Sequence, residues 1–289
     1  MAYFIFVFSG IIIYIALANL LHLQFGLTGI VNFGVVGFWG LGMYGTTVLI
    51  VQYDLPFLVA VVLASLLTAV LSLILGWLVL DLDSQSIIVA TLAFSTIIFY
   101  LVTTEKWLTK GVVGIGTVSF PFDVGRRTDL VYLAFLMIFT AVSMWYSWKL
   151  KQAPYGRLLL AIQDNEPLAR GLGKATSREK LIFFTATSGM MGLMGALHAP
   201  VNQFLTPTLI GPGVTFTVWI ALILGGKKHV LGGLIGVFVT VGLFDLLIET
   251  YVPLPTNFTI LVPNIKLMLY GLMLILILMF RPLGILGDR

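Results

Sequence analysis

Two carboxylates, Asp245 and Glu249, stand four residues apart in an otherwise apolar stretch, a spacing that puts both on one face of a helix. Such a pair could relay protons from the middle of a membrane. Residues 230–249 read instead as a span with the pair at its outer end, where carboxylates face the interface or a neighbouring loop. His22, His198 and His229 are too scattered to assemble a metal site. No serine, histidine and acid arrangement stands out. The stretch "GVVGIG" (111–116) runs G-x-x-G-x-G after a membrane span, without the strand–turn–helix setting of a nucleotide loop, and no G-x-x-x-x-G-K-[ST] occurs. The expectation is no catalytic residue, no metal ligand and no cofactor bound by this chain.

The polar chemistry that remains lies inside apolar segments as amides and hydroxyls: Asn19, Asn32, Thr91, Ser95, Thr96, Thr185, Thr187 and Ser188. Such groups can satisfy one another across helices, and a path of this kind suits a solute passed on without tight binding. The stretch "GLTGIVNFGVVGFWGLGMYG" (26–45) is rich in glycine, with Gly34, Gly37 and Gly40 recurring every three residues. Small residues let membrane helices approach closely. A discontinuous helix beside a pathway would use the same residues, because unwound backbone is tolerated only where protein buries it or a cavity faces it. Both readings stand, and the candidate path residues are Asn32, Phe33, Gly34, Gly37, Thr91, Ser95 and Thr187.

The elements that carry these residues are membrane spans. Hydrophobic residues make up 59% of the chain and charged residues 10%, with a mean hydropathy of +1.07, whereas soluble domains are about 25% charged. No acidic or basic residue occurs from Met1 to Tyr53, room for two spans at about 20 residues each, with His22 to Gly26 as the expected break. Spans are expected near 3–23, 27–51, 56–80, 85–104, 129–148, 181–202, 214–226, 230–249 and 265–280. The fold class is an all-α polytopic membrane protein, one domain over 1–289, with about nine (eight to ten) transmembrane helices and a glycine-rich, discontinuous second span. The span 214–226 is short enough to be a partial helix. The N-terminus has no basic residue before its apolar run and reads as a retained span, not a signal peptide. The pI of about 9.3 does not signal nucleic acid, because the basic residues sit between spans, where they set topology. The absence of cysteine excludes disulfides and zinc thiolate sites.

Residues 149–180 break the apolar pattern. Seven basic residues (Lys149, Lys151, Arg157, Arg170, Lys174, Arg178, Lys180) face three acidic ones (Asp164, Glu166, Glu179), a balance of +4 that equals the net charge of the whole chain. Basic loops stay in the cytoplasm, and counting spans outward puts Lys227, Lys228, Arg281 and Arg289 on the same side. The N-terminus is then external and the C-terminus cytoplasmic; the external loop 105–128 carries four basic residues against this rule. Within 149–180, "DNEPLARGLG" (164–173) is punctuated as a very short helix. Asp164 or Asn165 can cap it, Pro167 falls in its first turn, and Gly171 and Gly173 supply a stop. Leu168 and Leu172 form an apolar ridge beside a Glu166–Arg170 flank. A helix this short does not hold in water alone. Its mixed charge suits a protein partner better than lipid.

The segment "YGRLLLAIQDNEPLARGLGKATSREKLIFFTATSGMMGLMGALHA" (155–199) closely resembles the signature loop and following helix of the LivH/LivM-type permeases of branched-chain amino-acid ABC importers. "GIVNFGVVGFWGLGMYG" is similar to that family's glycine-rich second span, and "TKGVVGI" to its external turn. "LILGGKKHVLGGLIGVFV" and "LYGLMLILILMFRPLGILG" resemble its later spans, and the pattern, over roughly 26–287, is nearer LivM than LivH. The chain departs from the family pattern at Pro167, Arg170 and Lys227-Lys228-His229, and its second span lacks the family's histidine. The resemblance implies a permease subunit of an ATP-driven importer, with 164–173 as the coupling helix. Arg157, Asp164, Asn165, Glu166, Ala169, Arg170 and Gly173 would then couple to the ATPase, with Asn165, Glu166 and Ala169 as the contact face. Implied partners are a second related permease, two cytoplasmic ATPase subunits that hold ATP and Mg, and an external solute-binding protein. The implied setting is the lipid of a prokaryotic plasma (inner) membrane. The cargo would be branched-chain or related amino acids, with urea or an amide as the alternative within the family. An ATP-independent transporter or channel is the rival class, and it would have no use for a capped cytoplasmic helix.

Overall fold

The computed structural model describes residues 2–116, 118, 120, 127–202, 204–226, 229, 231–245, 262–280 and 284–286. Four helices come first: α1 (Ala2–Thr28), α2 (Val35–Tyr53), α3 (Phe57–Val79) and α4 (Ser84–Thr104). A one-turn helix α5 (Lys106–Thr109) leads to strand β1 (Ile115–Gly116). Then come α6 (Thr128–Gln152), α7 (Pro154–Asp164), α8 (Glu166–Gly171) and α9 (Thr176–His198). Strand β2 (Phe204–Leu205) pairs antiparallel with β1, Ile115 opposite Leu205. Helices α10 (Gly213–Gly225), α11 (Gly232–Val237, continuing as a π-helix over Phe238–Asp245) and α12 (Val262–Phe280) complete the described chain.

Among the described residues, seven helical segments are long and apolar enough to cross a bilayer, and a shorter apolar helix covers Gly232–Gly242. The chain is an integral membrane protein of helices. The expected spans at 230–249 and 265–280 correspond to α11 with its continuation and to α12. Glu249, Arg126, Lys227, Lys228, Arg281 and Arg289 lie outside the described residues, and of Asp245 only the backbone is described.

Two expectations are corrected. The first break falls at 29–34, not at 22–26. Helix α1 runs on past Gln24 and Gly26, with Thr28 Oγ1 bonding Gln24 O at 2.6 Å, and ends where Ile30 N–H turns back to Gln24 O at 3.2 Å. The region 149–180 is also mostly helix rather than loop. Pro154 opens α7 at a first-turn position, where its missing N–H costs nothing. Gly156, Leu159 and Ile162 recur every three residues and bury one face of α7.

Helix α9 packs against α1, α2 and α3 and is the axis of the bundle. Its approach to α2 is so close that a Cβ on Gly42 would run into the Gly192 carbonyl. A Cβ on Gly192 would in turn meet the Thr68 side chain of α3 at 2.6 Å. Leu58, Leu66 and Trp77 of α3, Val89 of α4 and Ile138 of α6 point outward with more than half their surface exposed, as a lipid-facing shell requires. With apolar groups both inside and outside, close packing rather than hydrophobic burial holds such helices together.

Gly42→Ala is therefore expected to cost about 1–3 kcal/mol through overpacking, seen as a lower thermal midpoint of the purified protein. Gly10→Ala, with nothing within 4 Å of the added carbon, is the control expected to leave the midpoint unchanged.

Candidate functional site

The stretch 29–34 leaves helix geometry inside the bundle, so its backbone groups need partners other than their own helix. Neighbouring side chains supply them. Phe33 N–H donates to Thr91 Oγ1 at 3.0 Å, and Ser95 Oγ donates to Phe33 O at 3.1 Å. Gly34 N–H donates to Asn32 Oδ1 at 2.6 Å, and Asn32 O accepts from Trp219 Nε1 at 3.0 Å. Val36 N–H, in the first turn of α2, donates to Thr215 Oγ1 of α10 at 3.2 Å. The Phe33 ring stacks on Trp219 with centroids 5.1 Å apart.

Gln24 ties this cluster to α9. Its Oε1 accepts from Asn32 Nδ2 at 2.8 Å, and its Nε2 donates to Thr187 Oγ1 at 2.7 Å and Ser188 Oγ at 3.1 Å. Gln24, Asn32 and Thr91 are wholly buried. Six of the seven residues singled out as path residues thus meet in one hydrogen-bonded cluster. The seventh, Gly37, packs against Ser95 and Phe94 of α4. Sequence reasoning missed Gln24, Thr215 and Trp219. Gln24 carried a signal, as an amide inside an uncharged apolar run.

At one end of the bundle stands α8. Asn165 is its cap, Oδ1 accepting from Leu168 N–H at 3.0 Å. At the other end of α8 Gly173 adopts φ +80°. There Gly173 N–H bonds Arg170 O at 3.0 Å and Lys174 N–H bonds Ala169 O at 3.2 Å, the paired closure that needs a left-handed residue. Glu166 accepts from Arg170 Nη2 at 3.1 Å and from Lys180 Nζ of α9 at 2.9 Å. Burial alone would raise the Glu166 pKa, but the bond and charge of Lys180, with smaller help from Thr176 and Arg170, together hold the carboxyl below its ordinary value.

The expected coupling residues divide by exposure. Arg157, Asp164, Asn165, Arg170 and Gly173 are exposed, and Glu166 is intermediate. Ala169 is only 6% exposed and faces the chain's own packing, whereas Leu168 and Leu172 are 60% and 73% exposed. Beside α8 lies a cleft of about 650 Å³ lined by Asp81, Glu166, Arg170, Ser177 and Lys180. Ser177 Oγ donates to Asp81 Oδ1 across it at 2.6 Å, tying the α3–α4 turn to the base of α9.

Lys180 and Thr187 are seven residues apart on α9, two turns along one face, or about 10 Å. One helix therefore carries both the ion pair to α8 and the hydrogen bond to Gln24. A second link comes from α7, whose Gln163 Nε2 donates to Phe25 O at 3.1 Å, just before the break.

The sequence model of the family described as "Branched-chain amino acid transport system / permease component" matches residues 1–278. The chain belongs to this permease family. The relatives it matches are named as permease proteins of transport and import systems. It is 28% identical over 240 residues to the high-affinity branched-chain amino acid transport system permease protein LivM of Salmonella typhimurium, covering 74% of this chain and 56% of that protein. Against LivM of Escherichia coli the identity is 26% over 300 residues, 95% of this chain and 68% of the relative. The autoinducer 2 import system permease protein LsrC of Salmonella paratyphi B is 27% identical over 214 residues, 70% of this chain and 58% of that protein. The chain thus spans a little over half the length of the first of these relatives. No solved structure matches it.

The Glu166 pairing sets a pH dependence. A carboxyl whose folded pKa is depressed stabilises fully above the unfolded value, about 4.3 for glutamate, and less as the pH falls below it. Amide exchange of α8, corrected for intrinsic rates, is expected to be flat above the unfolded value of about 4.3 and to rise as the pH is lowered below it in wild type. In Glu166→Gln this added rise is expected to be absent.

Proposed function

We propose that this chain is a membrane-spanning subunit of an ATP-driven importer for branched-chain or related amino acids, with α8 as the helix through which ATPase subunits act on it. The observation that carries this reading is the Glu166–Lys180 pair at 2.9 Å, because it fastens a surface helix to the same face of α9 that holds Gln24. Displacement of α8 would draw on α9, and through Thr187 on the segment 29–34.

On this reading the α7–α8 end is cytoplasmic, the N-terminus is external and the C-terminus cytoplasmic, in the plasma membrane of a prokaryote. One of two ATPase subunits, which bind the ATP and Mg, receives the exposed ridge of Leu168 and Leu172 with Asn165 and Arg170 around it. The contact face is therefore drawn without Ala169. A second, related permease and an external solute-binding protein complete the importer. The cluster around Asn32, Phe33, Gly34, Thr91, Ser95 and Thr187 is the moving part beside the solute path, with Gly37 packed against its α4 wall. Likeness to a permease named for autoinducer 2 import favours, as a second reading, the same machine with a different cargo.

The test is uptake and ATP hydrolysis by the reconstituted complex. Glu166→Lys sets three cations together; a charge-assisted hydrogen bond contributes about 1.5–3 kcal/mol, so uptake is expected to fall about tenfold or more while the complex still hydrolyses ATP. Combining Glu166→Lys with Lys180→Glu is expected to restore much of the uptake. Full uptake by the single variant, or uptake by wild type without ATP, contradicts the proposal.

A further inference from the structure

The cleft of about 650 Å³ beside α8 has two walls. One is α8, with Glu166 and Arg170, and the other is the α3–α4 turn, with Asp81 and Leu82. Helix α9 joins them, since Lys180 Nζ donates to Glu166 Oε2 at 2.9 Å and Ser177 Oγ donates to Asp81 Oδ1 at 2.6 Å.

The charges in the cleft are not evenly paired. Glu166 is answered twice, by Lys180 and by Arg170 Nη2 at 3.1 Å, so both cations are engaged. Asp81 is exposed, and among the described residues it forms no ion pair and accepts only the Ser177 hydroxyl. An ionised carboxylate offers about four acceptor sites, so most of the capacity of Asp81 is open. Asp83 differs, because its carboxylate is taken up in capping α4 through Gln85 N–H, Ser86 N–H and Ser86 Oγ.

Apolar surface accompanies the open charge. Leu82 stands between Asp81 and Asp83 and is 51% exposed. Two carboxylates in three residues hold this turn out of hydrocarbon, so lipid tails do not cover the leucine. It borders the cleft across from Pro167 of α8. A free metal cation would leave that leucine bare, and a lipid phosphate would meet the open carboxylate with like charge. An arginine or lysine side chain matches both features, its charged head towards Asp81 and its apolar stem along Leu82 and Pro167.

We propose that the ATPase subunit docked on α8 also grips the α3–α4 turn, by inserting an arginine or lysine side chain into the cleft against Asp81. This rests on the reading that ATPase subunits act at this end of the chain. The docking surface then has two supports, both tied to the base of α9, instead of one helix of six residues.

The chain has no cysteine, so the test is single-cysteine cross-linking with benzophenone-4-maleimide in the complex purified with its ATPase subunits. Leu82→Cys and Leu172→Cys are both expected to cross-link to the ATPase. Leu58→Cys, exposed at the opposite end of α3, is expected not to. Cross-linking from Leu172→Cys without any from Leu82→Cys overturns the proposal and leaves the reading of α8 intact; cross-linking from neither overturns both. Adducts of Leu82→Cys with another permease chain or with lipid alone also overturn the proposal. Asp81→Asn keeps an oxygen for the Ser177 hydroxyl and removes the charge. It is expected to weaken ATPase binding to the purified chain about fivefold, as for a partly exposed ion pair, while Asp81→Glu stays near wild type. Undiminished binding by Asp81→Asn overturns the proposal.

Discussion

Backbone that leaves a helix inside an apolar bundle must have its N–H and C=O groups answered by protein, since no water is at hand to do it. In this chain Asn32 Oδ1 answers the Gly34 N–H, and the side-chain amide of Gln24 holds Asn32 in place to do so. Gln24 accepts from Asn32 with its oxygen and donates to Thr187 and Ser188 with its nitrogen. It therefore joins α1, the break after it and α9 in a single buried junction. Thr91 and Ser95 of α4 bind the Phe33 N–H and C=O, Trp219 of α10 binds the Asn32 C=O, and Thr215 of α10 binds Val36 N–H at the start of α2. Loss of a partner here leaves a buried donor or acceptor unmet, a larger penalty than the net worth of the bond. The break is thus held in one arrangement by contacts from α1, α4 and α10, with α9 joined to it through Gln24.

The same junction explains why α9 is both central and small-faced. A helix that is to carry motion between a surface element and an interior segment must pack closely on its neighbours. The Gly42–Gly192 approach provides that contact with α2, and Thr68 closes it from α3. At its base α9 is tied to α8 by Lys180 and to the α3–α4 turn by Ser177. On the proposed reading, this linkage would let a displacement of α8 be felt within the membrane.

Much of this was legible in the residues. Asn165, Pro167 and Gly173 in that order specify a short capped helix because each can do little else there, and the cap, the Glu166–Arg170 pair and the glycine closure all form. Asn32 among glycines marked the interior segment, and Thr91, Ser95 and Thr187 were recognisable as hydroxyls at depth. The position of the break was not legible. Gly26 and His22 look like punctuation, yet tertiary contacts carry α1 to Thr28, and Asn32 is what the surrounding helices grip. Helix α7 was hidden by its charge, since its buried face is only the Gly156, Leu159 and Ile162 stripe. The inward turn of Ala169 and the long-range role of Lys180 depend on how α8 lies against α9, which no local pattern encodes.

The most direct measurement is hydrogen–deuterium exchange of the full chain with Lys180 neutralised as Lys180→Met. If α9 joins the two regions, amides of α8 and those of residues 29–36 lose protection together, although Lys180 touches none of the latter. Faster exchange confined to α8, with 29–36 as protected as in wild type, would contradict the linkage.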